Sequence, residues 1–557
     1  MFAFLMLAIY FRLENVFARP KVMPYPAERE YASNFWLKVG QETLTENLKK
    51  RLETKPAKSV ILFLGDGMGI PVITSARIYK AQKELRQSDQ EPLSFEKFPY
   101  TGLAKTYALN VHTTDSASSA TAYETGVKAN RATIGVGPEV ERGDCLAAIK
   151  HPSESVAAWA IREGKAAGVV TTTRVTHATP AALYAHSADR TWEDDGKMKA
   201  SSRSNAHKCK DIARQLMEDF PGKDLKVIMG GGRRGFLPER SRDYEERNKY
   251  GRRLDGRNLI ELWKSGNERR KFVWNKEQLI DLNPSTADAL LGLFDYSHIE
   301  YSYIHKLKNR TDNPSLAEMT SKAIQVLNQE PDGFFLLVEG GKIDKALHKN
   351  WAKLSFEELI EFDRAIEAAL KITDPDDTLI VVTADHSHAL SQIGYPHRNN
   401  SILGTFYGQD HSDGLPSTLL VFADGPSAAQ FHPNGTKRRD LRNFDTEDHL
   451  FRQPALIPAK DESHGGEDVA VYATGPYSHL FTGVFEQNYI AHAIGFALCA
   501  GPSKQTCLQS RSETGSDLSK AEGINRSLLI AVVVLSIVCV VLLILLLILL
   551  IAKYVEH

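Results

Sequence analysis

The chain has 557 residues, 42% of them apolar, which suffices for several average domains or for one large α/β domain with insertions. Its 68 basic and 69 acidic residues nearly cancel and leave a formal charge of −1. This balance excludes the strongly basic surface typical of nucleic-acid binding, and the sequence has no acidic tail. The composition therefore describes a globular protein for which no nucleic-acid partner is expected.

Both ends of the chain carry signals for export or membrane attachment. Residues 1–18 contain a short apolar run with a small residue at a plausible cleavage point, which predicts a signal peptide. The positively charged residues that usually precede such a run are missing. Residues 528–552 form an apolar stretch long enough for a helix to cross a bilayer core of roughly 30 Å. The polar spacer 509–527 and the small residues near Gly515 also fit a GPI signal. A GPI anchor and a retained transmembrane helix both stay open, and either places most of the chain outside the cytosol.

Four cysteines lie outside the apolar tail, at spacings unlike those of zinc motifs, and we interpret them as disulfides. Three pairings are possible, and the simplest joins neighbours along the chain, Cys145 with Cys209 and Cys499 with Cys507. The sequence has four N-x-[ST] acceptors; Asn525 lies close to the predicted membrane segment, and the other three predict glycosylated surface loops in an exported chain. These three acceptors are Asn309, Asn399 and Asn434.

Short apolar, β-branched runs recur along the chain and predict buried strands separated by helices. The predicted strands cover 59–67, 166–173, 225–232, 333–341, 377–386 and 417–425. A helical pattern covers 357–370, and an amphipathic helix or two is predicted before the first strand. This alternation predicts an α/β fold around a large, mainly parallel central sheet flanked by helices. Residues 395–460, rich in Gly, Pro, Asn, Asp and Arg, are predicted to form a surface insertion.

Polar residues follow several predicted strands at the point where each strand ends. They are Asp66, the segment from Thr176 to Thr179, Glu339, and the pair Asp385 and His386. A single aspartate in such a place is usually a helix N-cap or a turn residue. In open α/β sheets, however, ligands bind outside the carboxyl ends of the strands, so four coincident cases predict a site there.

Further histidines and carboxylates recur at spacings that suit a metal ion. Asp344 and His348 are four residues apart and would share one face of a helix, although such a pair alone is more often a surface contact. His388 follows the last strand-end pair closely, and His464 precedes another strand-like run. Histidine and carboxylate suit zinc, whereas threonine and carboxylate oxygens suit magnesium.

Ser116 lies in a run of small residues at a predicted helix start, directly after Asp115. Neither a Ser-His-Asp pattern nor a G-x-S-x-G elbow surrounds it. The serine is therefore either structural or activated by a group other than histidine.

Six motifs, in order, resemble those of the animal membrane-bound alkaline phosphatases. They read LFLGDGMG, DSASSATAY, THATPAALYAHSADR, VEGGKIDKALH, VTADHSH and ESHGGEDVAV, and the similarity runs from about residue 35 to 508. The resemblance implies hydrolysis of phosphate monoesters to an alcohol and inorganic phosphate at the outer face of the cell membrane. It also implies a catalytic domain over 19–508, with a crown-like insertion at about 395–460, and a homodimer.

The resemblance assigns a role to each motif residue. Ser116 would be the nucleophile, forming a phosphoserine under activation by zinc, and Arg190 would clamp the phosphate through two parallel hydrogen bonds. Two zinc ions and one magnesium ion are implied. One zinc would be held by Asp66, Asp385 and His386, with Ser116 on the same ion, and the other by Asp344, His348 and His464. The magnesium would be held by Asp66, Thr179 and Glu339, with His177 close behind as a tuning residue.

Some positions depart from the family pattern. A calcium site of vertebrate members stays open, because Phe294 and Asp295 match it while Asn313 replaces an expected carboxylate and the loop at Glu239 matches poorly. Lys345 stands where many animal members have histidine.

Two rival hypotheses account for less of the sequence. A sulfatase would need a C/S-x-P-x-R segment at the nucleophile, and the related phosphodiesterases lack the magnesium set and the arginine clamp. A catalytically dead surface receptor on the same fold would have lost candidate ligands, whereas every one of these positions is filled by a suitable residue.

Overall fold

We describe the protein from a computed structural model, which covers residues 28–50, 52–86, 88–201, 206–408, 411–432 and 437–555, the side chains of 511–529 and 554 excepted. The predicted signal peptide at 1–18 and the acceptor Asn434 lie outside these described residues. The acceptors Asn309 and Asn399 are exposed, as expected of surface loops.

The described strands are short and spread along the whole chain. They are β1 (Ser59–Gly65), β2 (Tyr100–Lys105), β3 (Ala166–Arg174), β4 (Val227–Gly231), β5 (Arg270–Val273), β6 (Ala289–Leu293), β7 (Phe334–Gly340), β8 (Thr378–Ala384), β9 (Ser387–His388), β10 (Leu390–Gln392), β11 (Thr405–Phe406), β12 (Ser417–Thr418), β13 (Leu420–Gly425), β14 (Ala455–Pro458), β15 (His464–Gly465), β16 (Val469–Thr474) and β17 (Gly483–Glu486).

Helices connect most of these strands. The α-helices are Ser33–Leu48, Ile70–Lys83, Ser116–Thr125, Cys145–Lys150, Val156–Arg162, Ala178–Ala182, Asp195–Lys199, Ile212–Glu218, Leu259–Lys264, Lys276–Asp281, Ser302–Leu307, Leu316–Leu327, Lys342–Leu347, Ala352–Ile372, Ala428–Phe431, Tyr489–Leu498 and Lys504–Val555. Short 3-10 helices cover Glu28–Tyr31, Phe95–Lys97, Ala206–Lys208, Gly222–Asp224, Arg233–Gly235, Pro284–Thr286, Ser478–Phe481 and Gly501–Ser503.

Ten strands form the central sheet, in the order β17-β2-β16-β8-β1-β7-β3-β4-β6-β5. From β8 to β5 every neighbouring pair is parallel, whereas β16 pairs antiparallel with both β8 and β2. Every residue of β1, β7 and β8 is buried, which is why these strands appear in the sequence as unbroken apolar runs. The structure thus confirms the predicted α/β fold with a mainly parallel central sheet.

One predicted strand lies elsewhere. Residues 417–425 form β12 and β13, and β13 belongs to a small sheet of order β10-β13-β14. The prediction of a buried strand was wrong here, because β13 alternates between buried and partly exposed residues, as expected of a sheet covered on one face. Residues between β8 and β16 build this sheet and two two-stranded sheets, and the predicted insertion at 395–460 falls within that stretch.

The chain divides into two compact units, one up to Gly501 and one from Pro502. The second unit is largely the single helix Lys504–Val555, in which 24 residues, Ile530–Lys553, are long and apolar enough to cross a membrane, with none of their side chains buried. This segment is a candidate membrane anchor.

The cysteines outside the apolar tail are oxidised. Cys145 and Cys209 form a disulfide, one of the predicted pairs, and it links two segments 64 residues apart in the sequence. Cys499 and Cys507 are also disulfide-bonded, which confirms the prediction that they form disulfides.

Candidate metal centre

Four neighbouring parallel strands, β8, β1, β7 and β3, end at one place on the central sheet. In β1, Gly65 pairs with Gly340 and with Ala384, so Asp66 and Asp385 leave their strands at the same level. Glu339 precedes the end of β7 by one residue. The structure therefore brings together the strand-end residues that the sequence singled out.

A first cluster joins Asp66, Asp385 and His386, whose candidate ligand atoms all lie within 4.8 Å of one another. The His386 Nε2 atom lies 3.1 Å from Asp385 Oδ2 and 3.6 Å from Asp66 Oδ1. Among the described residues, both Asp66 oxygens and Asp385 Oδ2 are buried without a hydrogen-bond partner. Such oxygens are costly to leave unpaired, and a bound cation satisfies them, so this donor set fits a metal ion.

The protonation states in this cluster also suit a metal. Burial, with the nearby Asp344 carboxylate, raises the pKa of Asp66 well above its ordinary value and that of Asp385 to about 6. Burial lowers the pKa of His386, so its imidazole is neutral. A neutral imidazole is the form that binds metal, and a cation between the carboxylates relieves their repulsion.

A second cluster joins Asp344, His348 and His464. Asp344 Oδ1 lies 3.1 Å from His348 Nε2, across one helical turn, and 3.5 Å from His464 Nε2. The two histidine Nε2 atoms are 3.3 Å apart. The His464 ring also stacks on His386 with 3.5 Å between ring centroids, so the first two clusters are in direct contact. Burial lowers the pKa of His464 to about 4 and keeps it neutral.

A buried pair behind this cluster was missed by the sequence reasoning. His388 Nε2 lies 2.9 Å from Asp344 Oδ1, and its Nδ1 contacts the Glu462 carboxylate. Burial opposes protonation of His388, but Glu462 and Asp344 raise its pKa to about 10. In the sequence analysis His388 was noted only as lying close to Asp385 and His386. Glu462 was not singled out, although it is the first residue of the ESHGGEDVAV motif and could have been found there.

A third cluster joins Asp66, Glu339 and His177. Glu339 Oε2 accepts hydrogen bonds from Thr171 and from Thr173, the latter at 3.0 Å. Glu339 Oε1, Thr179 Oγ1 and His177 Nδ1 are buried and, within the described ranges, have no hydrogen-bond partner. Burial raises the pKa of Glu339 to about 7. This group, rich in hard oxygen atoms, fits a magnesium-type cation.

Ser116 is the first residue of a ten-residue helix, all of it buried, and lies beside these clusters. Its Oγ atom is 3.4 Å from His386 Nε2. The preceding Asp115 caps the helix by accepting a hydrogen bond from the Ser118 backbone. The backbone N–H groups and the positive end of the dipole at such a helix start favour an anion next to Ser116.

Arg190 is held at the same helix start. Its Nη1 donates to Asp115 Oδ2 at 2.8 Å, and its Nη2 lies 3.3 Å from His177 Nε2. Burial opposes ionisation of Asp115, but Arg190 lowers its pKa to about 2, so the pair is charged. The arginine therefore reaches the region between Ser116 and the third cluster, while a carboxylate fixes its orientation.

Two departures from the family pattern have visible consequences. Lys345 donates to Asp344 Oδ2 at 2.8 Å, next to the second cluster. The sequence left a calcium site near Phe294 and Asp295 undecided. In the structure Phe294 is buried, Asp295 accepts a hydrogen bond from the Ser297 backbone N–H, and the Glu239 side chain is exposed. In the part of the chain that the structure describes, no group of three metal-binding side chains includes Asp295.

Buried carboxylates and neutral imidazoles, gathered at the carboxyl ends of parallel strands beside a helix-start serine, define an α/β metalloenzyme. The alkaline phosphatase family profile matches residues 57–500. The tissue-nonspecific isozyme of alkaline phosphatase from Gallus gallus is 45% identical over 487 residues, which cover 86% of this chain and 92% of that relative. The membrane-bound alkaline phosphatase from Bombyx mori is 40% identical over 491 residues, covering 86% and 88%. The chain therefore belongs to the alkaline phosphatase family, and its activity is metal-dependent hydrolysis of phosphate monoesters.

Solved structures agree on the fold. The Thermus thermophilus alkaline phosphatase matches with a TM-score of 0.56 at 22% identity, over 80% of this chain and 92% of that one. The alkaline phosphatase of a psychrophilic Shewanella species matches with a TM-score of 0.53 at 25% identity, over 79% and 99%.

Proposed function

We propose that the chain hydrolyses extracellular phosphate monoesters through a phosphoserine formed on Ser116, with two zinc ions and one magnesium ion. The observation that carries the proposal is the position of Ser116. Its hydroxyl lies at a helix start and 3.4 Å from His386, the residue that joins the first two clusters.

The donor atoms divide by chemistry into two zinc sets and one magnesium set. Asp66, Asp385 and His386 would hold one zinc ion, near Ser116, and Asp344, His348 and His464 would hold the other. Asp66, Thr179 and Glu339 would hold the magnesium ion, with His177 beside them. When bound, the metal ions supply Lewis-acid stabilisation of phosphoryl oxygens and favour ionisation of hydroxyl groups.

The chain's own groups perform the remaining tasks. Ser116 Oγ attacks phosphorus as the ester P–O bond breaks and the alcohol leaves, and water then cleaves the phosphoserine to give inorganic phosphate and free serine. Backbone N–H groups at the start of the Ser116–Thr125 helix stabilise the negative charge on the phosphate group that is being transferred. Nη1 of Arg190 donates to Asp115, so in place of the expected two parallel hydrogen bonds only the other terminal nitrogen, Nη2, binds a phosphate oxygen.

Outside the catalytic centre, we propose membrane attachment at the outer cell surface and a homodimer. The segment Ile530–Lys553 supports attachment, either as a retained span or as the removed tail of a GPI signal. The helix Ser33–Leu48 buries none of its side chains and leaves Trp36 53% and Leu37 63% exposed, which supports a second protomer covering it.

The test is hydrolysis of a chromogenic phosphate monoester by the purified chain, before and after chelation and after zinc and magnesium are added back. We expect activity to disappear on chelation and to need both metals for full recovery. Ser116→Ala should abolish turnover while metal content stays unchanged, because the serine reacts and the other residues hold the metals. Ser119→Ala, which removes a neighbouring buried hydroxyl that donates to the backbone carbonyl of Asp115, is the control and should remain active. Near-normal turnover in Ser116→Ala would refute the phosphoserine.

The anchor has a separate test. Release of the activity from membranes by a phosphatidylinositol-specific phospholipase would establish the GPI form. Full retention would establish a transmembrane span.

A further inference from the structure

Residues 233–257 concentrate positive charge in a chain whose charges otherwise balance. They carry nine basic and five acidic side chains, whereas the whole chain has 68 and 69. Two arginines of this segment are buried and neutralised inside the fold. Arg233 pairs with Asp243 at 2.8 Å, and Arg253 pairs with Asp211 at 3.0 Å. These two pairs stabilise the segment itself, and the remaining arginines are not needed for that purpose.

Three further arginines of the segment lie nearer the surface. Arg234 and Arg252 are partly exposed, and Arg242 is exposed. None of the three forms an ion pair with a carboxylate in the part of the chain that the structure describes. Burial, with Arg174 and Arg252 nearby, lowers the pKa of Arg234 to about 10. The charged groups that dominate around Arg234 are therefore other cations, and a bound anion would relieve their repulsion.

Two tyrosines lie among these arginines. The Arg234 guanidinium is 5.7 Å from the Tyr296 ring centroid, and the Arg242 guanidinium is 5.9 Å from that of Tyr250. The Tyr296 hydroxyl donates to the Tyr250 backbone carbonyl at 2.9 Å, and the ring of Tyr250 is 45% exposed. The Arg252 backbone N–H donates to the Arg234 carbonyl at 2.8 Å. These contacts join the five residues in one surface, the arginine-tyrosine patch.

The carboxylates next to the patch are bound to other side chains. Glu193 accepts hydrogen bonds from Arg174 and Lys197. Glu246 pairs with Lys249 at 2.5 Å. The patch therefore keeps the positive charge of its three arginines.

We propose that the arginine-tyrosine patch binds a sulfated polysaccharide, with sulfate groups on the arginines and sugar rings on the tyrosines. Guanidinium groups donate parallel hydrogen bonds to oxyanions, and an exposed tyrosine offers an apolar face beside a hydroxyl. Basic clusters of this kind are typical of heparin-type ligands. The disulfides are typical of exported proteins, which meet such polysaccharides outside the cell. This inference goes beyond the proposed hydrolysis and does not depend on it.

The experiment uses the full chain in nanodiscs of zwitterionic lipid and a heparin octasaccharide, with the dissociation constant measured by calorimetry at several salt concentrations. We expect binding that weakens steeply with salt, because each arginine contact releases counterions from the polyanion. Desulfated heparin should bind at least about a hundredfold more weakly, since it lacks the groups that the arginines contact. Inorganic phosphate that saturates the metal centre should not displace heparin.

Four variants make the assignment specific. Arg234→Gln and Arg242→Gln should each raise the dissociation constant about tenfold and lower the slope of its logarithm against log salt by about one. Tyr250→Ala should weaken heparin about threefold but leave binding of inorganic polyphosphate, which has no sugar ring, unchanged. Arg442→Gln removes an exposed arginine that pairs with Asp440 outside this segment and should bind heparin as the parent chain does. The Arg242 and Arg442 variants should keep the parental phosphatase turnover, which reports an intact fold.

Several outcomes would overturn the proposal. Parental affinity in both patch arginine variants, or an equal loss in Arg442→Gln, would show that the patch is not the binding surface. Displacement of heparin by inorganic phosphate would place the polyanion at the metal centre. Equal affinity for desulfated heparin, for a single-stranded oligonucleotide of the same charge or for vesicles of anionic lipid would exclude recognition of a sulfated sugar.

Discussion

Glu193 shows how a buried ion pair supports the segment that carries Thr179. Its carboxylate accepts hydrogen bonds from Arg174 at 2.5 and 2.8 Å, from Lys197 at 2.6 Å and from Thr176 at 2.8 Å. The residue is only 5% exposed. Burial opposes its ionisation, but Arg174 lowers the pKa from 4.5 to about 2.

The pKa shift sets the size of the expected effect. A carboxylate with a pKa of 4.5 unfolded and about 2 folded contributes about 3 kcal/mol to the free energy of unfolding at pH 7. Because the folded-state pKa is depressed, this stability is fully present above pH 4.5 and is lost as the pH falls toward 2. At pH 3 about 1 kcal/mol remains. Glu193→Gln should therefore lower the free energy of unfolding by about 3 kcal/mol at pH 7, and the deficit should shrink at low pH.

Urea unfolding of the parent and the variant from pH 7 to pH 3 measures this difference directly. Glu154→Gln is the control, because its pair with Arg162 is about half exposed on both sides and should contribute at most about 1 kcal/mol at any pH. A deficit under 1 kcal/mol at pH 7, or one that stays constant down to pH 3, would show that the ion pair does not stabilise the fold as reasoned.

Three further predictions concern the clamp, the metal centre and the disulfide. Arg190→Lys loses the planar fork and should lower kcat/KM about 10²-fold with metal content unchanged; equal kinetics would exclude the clamp. Gly67→Ala should reduce bound metal measured by elemental analysis, because a Cβ there would lie 2.5 Å from a buried histidine ring. Gly256→Ala, at a similar positive φ but with open space around it, should keep its metal. Replacing Cys145 and Cys209 with serine should cost about 4 kcal/mol of unfolding free energy in urea unfolding, as expected for a loop of this length; reduction of the parent chain should cost at least as much, because it also reduces Cys499 and Cys507.

The strands that were predictable from sequence are those buried on both faces. β1, β7 and β8 are continuous apolar runs, so both their position and the polar residues at their ends could be predicted. β2 has only two buried residues and β17 has none, and the pairing of β2 with β16 and with β17 depends on contacts between distant segments. No local pattern specifies such pairing, so this edge of the sheet, antiparallel between β16 and β2 and parallel between β2 and β17, was not predicted.

The same limit applies at the metal centre. Asp344 and His348 could be placed together from their spacing on one helix. The contact between His388 and Glu462 joins β9 to the segment before β15, and only the antiparallel pairing of those two short strands creates it. Sequence therefore identified residues that share one element, stand at strand ends or lie in a family motif, and structure was needed for the contact between His388 and Glu462.

The order of β8, β1, β7 and β3 in the sheet has a consequence for synthesis of the chain. Asp66 and His464 lie near opposite ends of the catalytic region, and the other candidate metal-binding residues are scattered between them. The third and first clusters are complete in sequence once Glu339 and His386 have been made, whereas the second cluster is complete only after His464 has left the ribosome. Until then Asp344 lacks one of the residues that would share its cation. The second cluster is therefore the last of the three that can retain a metal ion.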